Sequence, residues 1–159
     1  MNALVVYYSL TGNTAFAADR IARELGAGLL RLAPVKTYPD SGFRKFFWGG
    51  KSAVMAETPA LQPFELAPGA FDLVVIGFPV WAGNVAPPIR TFLRDSLPKA
   101  ERYAAFACQS GAGAERAFQK LKACLGHELA QTLVLIDPKD RPDAEAERRI
   151  ADFCARLRE

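Results

Sequence analysis

Four short apolar runs, Ala3 to Tyr8, Leu73 to Phe78, Tyr103 to Cys108 and Thr132 to Ile136, alternate with segments of helical periodicity, and this alternation limits the fold more than any other feature. The runs are rich in Val, Ile, Leu and aromatic residues and do not alternate cleanly with polar ones, which is the pattern of strands buried on both faces of a parallel sheet. A weaker run, Leu29 to Val35, is interrupted by Arg31 and ended by Pro34, and is expected to form an edge strand. Between the runs, Ala17, Ala18, Ile21 and Leu25 line one face of a helix starting at Asn13, with Gly26 as its stop. Pro87 and Pro88 open a second helix that turns Ile89, Phe92, Leu93 and Leu97 inward. Phe118, Leu121 and Leu125 form a third stripe, stopped by Gly126. A last helix starts near Pro142 and buries Ala146, Ile150, Phe153, Cys154 and Leu157, leaving Glu145, Glu147, Arg148, Arg149 and Arg156 on a solvated face. About five strands alternating with about five helices imply right-handed crossovers and an open parallel sheet covered on both faces.

The 159 residues suit one domain over 1–159, with an extended connection at about 36–70 between the second and third strands. Half the residues are hydrophobic and 23% are charged, which excludes a disordered chain. The apolar runs are far shorter than the ~20 residues of a membrane span. The opening Met1-Asn2-Ala3-Leu4-Val5-Val6 lacks the basic start of a secretory signal, so a cytoplasmic protein is expected. Cys108, Cys124 and Cys154 are odd in number and form no Cys-x-x-Cys pair, which argues against a disulfide framework or a zinc site. His127, the single histidine, follows Gly126 at a helix end and offers neither a catalytic dyad nor a metal cluster, so no catalytic or metal-binding residue is assigned. The net charge of +3 is concentrated between residues 36 and 51, where Lys36, Arg44, Lys45 and Lys51 face Asp40 alone. A local patch of that size suits an anionic ligand or an acidic partner and not nucleic acid, which usually needs a larger excess.

Ligands of open parallel sheets sit beyond the C-terminal strand ends. Three loops leave such ends here, at residues 9–14, 79–86 and 109–115. The first, Ser9-Leu10-Thr11-Gly12-Asn13-Thr14, runs from a strand straight into a helix. Its three hydroxyls, a glycine that lets the backbone wrap tightly and the unpaired N–H groups of the helix start can hold a phosphate without lysine or arginine. A simple helix cap by Asn13 or Thr14 is the plainer alternative, although it needs fewer of these residues. Two other phosphate motifs fail. Gly111-x-Gly113 is followed by Arg116 where a dinucleotide fingerprint needs glycine, and Gly49-Gly50-Lys51-Ser52 has Lys45 in place of the first P-loop glycine and no strand before it.

Placed after a first strand near the N-terminus, Ser9-Leu10-Thr11-Gly12-Asn13-Thr14 resembles the FMN phosphate loop of flavodoxins. That resemblance implies a flavodoxin-like α/β fold of the short-chain type: a three-layer sandwich on a five-stranded parallel sheet in the order 2-1-3-4-5. It implies FMN as cofactor and electron transfer as function, with Ser9, Leu10, Thr11, Gly12, Asn13 and Thr14 at the phosphate. Pro79, Val80, Trp81, Ala82, Gly83 and Asn84 would flank the flavin ring, with Trp81 stacked on it. Gln109, Ser110, Gly111 and Gly113 would bring backbone N–H groups to the ring carbonyls. The third loop lacks the aromatic that many flavodoxins place there, so an aromatic from the 36–57 region is one candidate to cover the ring, and an open ring face is the other.

The stretch Pro79 to Leu93 also resembles flavodoxin-like NAD(P)H:quinone oxidoreductases, which share the Gly83-Asn84 step. The alternative function is therefore an FMN-dependent NAD(P)H oxidoreductase. Its partner would be a small quinone-like substrate, where a carrier would meet a redox protein. In carriers the peptide after the stacking residue turns over on reduction, eased by a glycine. Here Ala82 holds that place, and a turn with φ > 0 is expected to cost it on the order of 1 kcal/mol, favouring two-electron behaviour. The segment Tyr38, Phe43, Arg44, Lys45, Phe46, Phe47, Trp48 and Lys51 is either an aromatic face packed on the domain, or a docking surface or pocket wall.

Overall fold

The computed structural model describes residues 1–39 and 57–159. Five strands, β1 (Ala3–Tyr7), β2 (Gly28–Arg31), β3 (Phe71–Pro79), β4 (Ala100–Gln109) and β5 (Leu129–Ile136), form one sheet. The strands are all parallel and lie in the order β2-β1-β3-β4-β5, as expected. Four helices are present among the described residues: α1 (Asn13–Leu25), α2 (Pro87–Asp95), α3 (Ala114–Leu125) and α4 (Ala144–Arg158).

Successive strand residues point to opposite faces, and each face carries its own core. Val5, Val75 and Leu135 pack with Ala17 and Ile21 of α1 and with Ile150, Phe153 and Leu157 of α4. Val6, Ile76 and Phe78 pack on the other side with Ile89 and Phe92 of α2 and with Phe118 and Leu121 of α3. Because both faces are covered, the central strands have no polar side to show, and this explains why their sequences read as continuous apolar runs.

Helix ends follow their local chemistry. Gly26 and Gly126 close α1 and α3 in the left-handed conformation, at φ 62° and 71°. α4 starts next to Pro142, as expected, with Asp143 as its cap, accepting a hydrogen bond from the Ala146 N–H at 2.6 Å. The edge strand is shorter than expected. β2 ends at Arg31, after which the chain leaves the sheet and residues 33–35 pair antiparallel with 60–62. Pro34 has no N–H to give a continuing ladder, while its neighbours Ala33 and Val35 bond Gln62 and Ala60 at 2.7 and 2.8 Å. The basic–aromatic segment lies outside the described residues apart from Tyr38, as does Gly49-Gly50-Lys51-Ser52. No helix among the described residues is long and apolar enough to cross a membrane.

Candidate functional site

The three loops singled out from the sequence meet at the C-terminal edge of β1, β3 and β4 around a cavity of about 390 Å³. Ser9, Leu10, Thr11, Asn13 and Thr14 line one end. Pro79, Val80, Trp81 and Ala82 line another wall, and Gln109, Ser110 and Gly111 a third. Gly12, Gly83, Asn84 and Gly113 stand behind these walls and shape them without lining the cavity. Cys108, Ala112 and Asp137 line it as well and were not among the expected site residues.

At the first loop the chain turns through Gly12 at φ 104°, and the Gly12 N–H donates to Ser9 Oγ at 3.2 Å. No side chain caps α1 and no acidic residue stands in its first turn. The alternative of a simple helix cap therefore fails. Asn13 turns its amide away to residues 139–140, and Thr14, 1% exposed, hydrogen-bonds the Cys108 thiol. An uncapped helix N-terminus with no acid in its first turn, set beside hydroxyl groups, has the donors and the partial positive charge that favour an anion. Burial pushes the Cys108 thiol up to about 12, against the lowering effect of Thr14, so it stays protonated at neutral pH and is no nucleophile.

The second loop is a tight turn. Trp81 and Asn84 pair antiparallel through N–H to carbonyl bonds of 3.2 and 2.9 Å in the two directions. Ala82 and Gly83 at its tip both have positive φ, 50° and 68°, the signature of a type I′ turn. The cost foreseen for Ala82 is thus already present in the turn as it stands, and is not deferred to a later rearrangement. Side chains hold it there: Asn84, buried, donates through Nδ2 to the Ala82 carbonyl at 2.8 Å and accepts from the Lys120 ammonium. Gly113 at φ 111° closes against it, since a Cβ at 113 would sit 2.9 Å from Gly83 Cα. Replacing Ala82 with glycine is expected to relieve the left-handed strain by more than it costs in chain entropy, raising Tm by about 1–4 °C in thermal unfolding. A lowered Tm would show the turn to be unstrained.

Trp81 is half-buried and meets Tyr8 and Tyr38 edge to face, with ring centroids at 5.7 and 5.2 Å and interplanar angles of 90° and 76°. Tyr38 is thus an aromatic that the β2–β3 connection brings to this end of the sheet. Arg116, Lys120 and Arg90 touch three consecutive residues of the same loop: Arg116 lies over Gly83, Lys120 bonds Asn84, and Arg90 Nε reaches the Val85 carbonyl at 3.5 Å. Desolvation first, then Arg116 and Arg90, lower the Lys120 pKa. In the third loop, Gln109 Oε1 accepts from the Ala114 N–H at 2.9 Å and starts α3, while Ser110 Oγ donates to Asp137 Oδ1 at 2.7 Å.

A cavity bounded by the β1–α1 loop and the loops after β3 and β4 lies where the strand order reverses between β1 and β3, so the chain is an open parallel α/β protein with this cavity at the switch point, the place where ligands of such sheets generally bind. Residues 2–139 match the family model described as Flavodoxin, and the chain belongs to the flavodoxin family. Three solved structures are similar to it. One is a candidate flavoprotein of Bacteroides eggerthii DSM 20697, 25% identical with a TM-score of 0.75, covering 97% of this chain and 98% of that one. A second candidate flavoprotein, of Bacteroides uniformis ATCC 8492, is 21% identical with a TM-score of 0.74 over 97% of each chain. The third is a flavoprotein of Lactobacillus acidophilus NCFM determined in complex with FMN, 21% identical with a TM-score of 0.72, covering 87% of this chain and 95% of that one.

Proposed function

We propose that this flavodoxin-family chain holds FMN without a covalent link and uses it to move electrons. The observation that carries the reading is the uncapped α1 N-terminus with its hydroxyl loop opening on the same cavity as Trp81 and the 109–111 loop. Phosphate donors at one end and a planar aromatic at the other match a ligand that is anionic at one end and a flat heterocycle at the other. FMN supplies the redox chemistry when bound, and the chain supplies position and electrostatics. Ser9, Thr11 and Thr14 receive the phosphate, Gly12 gives the loop its turn, and Asn13 secures it. Trp81 contacts the ring, the backbone of Gln109, Ser110 and Gly111 borders its polar edge, and Gly113 supports the turn at Gly83 from behind. Pro79, Val80, Ala82, Gly83 and Asn84 give the ring wall its shape.

Titrating the flavin-free protein with FMN is expected to quench Trp81 fluorescence, and Trp81→Ala to remove most of that quenching. Trp48→Phe is the control, because Trp48 is the other tryptophan. Quenching lost in the Trp48 variant alone would move the ring contact away from Trp81.

A second reading, an FMN-dependent oxidoreductase reduced by NAD(P)H and acting on a small quinone-like substrate, is favoured by Arg90, Arg116 and Lys120 on the loop after Trp81. None of the three makes an ion pair among the described residues; they do not line the cavity, but together they form a cationic cluster behind the wall that Trp81 and Ala82 give it, to which a phosphate-bearing reductant would be drawn. Anaerobic addition of NADPH to the yellow protein separates the two. Bleaching by NADPH alone supports the oxidoreductase, and a spectrum that NADPH leaves unchanged supports a carrier that serves a redox partner protein.

A further inference from the structure

The β5–α4 loop crosses from the far edge of the sheet onto the phosphate loop and is fastened there by one side chain. Asn13 Oδ1 accepts from the backbone N–H groups of Lys139 at 2.9 Å and Asp140 at 3.3 Å, and Asn13 Nδ2 donates to Asp140 Oδ2 at 2.9 Å. This fastening carries the Lys139 side chain over Gly12. Its ammonium stands 3.4 Å from the Thr11 carbonyl oxygen, and a Cβ on Gly12 would meet Lys139 Nζ at 2.9 Å and Cδ at 3.1 Å. Gly12 therefore answers two demands at once: a backbone at φ 104° and room for a lysine above it.

Lys139 is exposed and makes no ion pair among the described residues, although acids flank it in sequence. Those acids are otherwise engaged. Asp137 accepts from Ser110 at 2.7 Å and faces Arg141 at 3.8 Å, and Asp140 accepts from Asn13. A cation whose contact at this end is a neutral carbonyl gains most when a doubly charged anion arrives within its reach.

We propose that Lys139 is a cationic ligand of the ester phosphate, brought to loop 9–14 by Asn13 as a positioning residue. The proposal rests on the FMN reading and adds to it a charged contact from the opposite end of the chain. Selection of the phosphorylated flavin over the free one then depends on ionic strength, because an exposed lysine acts through a screened field. An uncharged loop holding the phosphate by hydroxyls and N–H groups alone would show less salt dependence.

The test is titration of the flavin-free protein with FMN and with riboflavin at low and high salt, for the wild type, Lys139→Met and Lys139→Arg. The side chain is exposed, so the variants keep the fold, which circular dichroism checks. Lys139→Met is expected to weaken FMN binding by about tenfold at low salt and to leave riboflavin unchanged, and Lys139→Arg to restore most of the loss. The gap between wild type and Lys139→Met should narrow at high salt. Inorganic phosphate provides a readout without flavin: it should raise the Tm of the flavin-free wild type more than that of Lys139→Met. Asn13→Ala should mimic Lys139→Met in the loss of FMN selectivity. A wild type that prefers FMN to riboflavin while Lys139→Met keeps the same preference and the same phosphate response overturns the lysine assignment alone. A wild type that binds the two flavins equally overturns the phosphate-site reading and this proposal with it.

Discussion

Replacing Thr11 and Thr14 together with alanine is expected to weaken FMN binding by about two orders of magnitude while riboflavin binding changes far less. In the proposed site each hydroxyl offers a hydrogen bond to a doubly charged phosphate, and such charge-assisted bonds contribute ~1.5–3 kcal/mol each, so losing two removes ~3 kcal/mol or more. The two threonines differ in setting, and the single variants should therefore differ. Thr11 is half-exposed on the outer part of the loop, so Thr11→Ala should cost affinity for FMN and little stability. Thr14 is 1% exposed beneath the loop, and its hydroxyl also bonds the Cys108 thiol. Thr14→Ala should therefore lower Tm as well as FMN affinity, since a buried polar partner is lost. Titration of all three variants with both flavins reads this directly. Equal losses for FMN and riboflavin would remove the phosphate from loop 9–14.

How far the sequence foretold this arrangement depends on how local each cause is. Strands β1, β3 and β4 were legible because both of their faces are buried, so nearly every residue in them must be apolar. The loop at Ser9 to Thr14 was legible because hydroxyls, glycine and helix start lie within a few consecutive residues. The limits of β2 were not, because Arg31 and Pro34 mark a weak edge without showing that residues 33–35 turn to pair with 60–62. Lys139 and Asp137 were missed for a related reason. The expected phosphate loop needs no cation, and the lysine arrives through a contact spanning more than a hundred residues of chain. The signal present in the sequence was positional: Asp137-Pro138-Lys139-Asp140 directly follows β5, and the end of each parallel strand opens on the same edge. Ala82 stands out in the sequence as the residue where a glycine is usual, but only the folded turn shows that its positive φ is already present there. A turn whose two tip residues both have positive φ is set by the pairing of Trp81 with Asn84, and no tripeptide pattern shows that pairing.

Gly77 is the position where that non-local dependence should have its largest effect on stability. It lies in β3, two residues before the cavity wall begins at Pro79, and is paired in register with Tyr7 on one side and Phe106 on the other. In the sequence it is merely a gap in an apolar run. In the fold the Phe106 ring occupies the space that a side chain at 77 would need: a Cβ there would lie 2.0, 2.3 and 2.8 Å from three of its ring carbons. Phe106 is 0% exposed and has nowhere to withdraw, being packed in the core beneath α1 and α4. Gly77→Ala is thus an overpacking substitution at the centre of the sheet. Such changes typically cost ~1–3 kcal/mol and occasionally more, and the upper end is expected where the clash is with a buried ring. For a chain of this length that corresponds to a fall in Tm of roughly 6–12 °C. The clash has a specific remedy. Phe106→Leu alone should destabilise by leaving a void, yet in combination with Gly77→Ala the smaller side chain makes room for the new methyl group. The double variant should be more stable than the sum of the two single losses allows, by about 1 kcal/mol or more. Denaturant unfolding of the four proteins in this cycle measures the coupling. Strict additivity would mean that the ring of Phe106 is not what keeps position 77 a glycine.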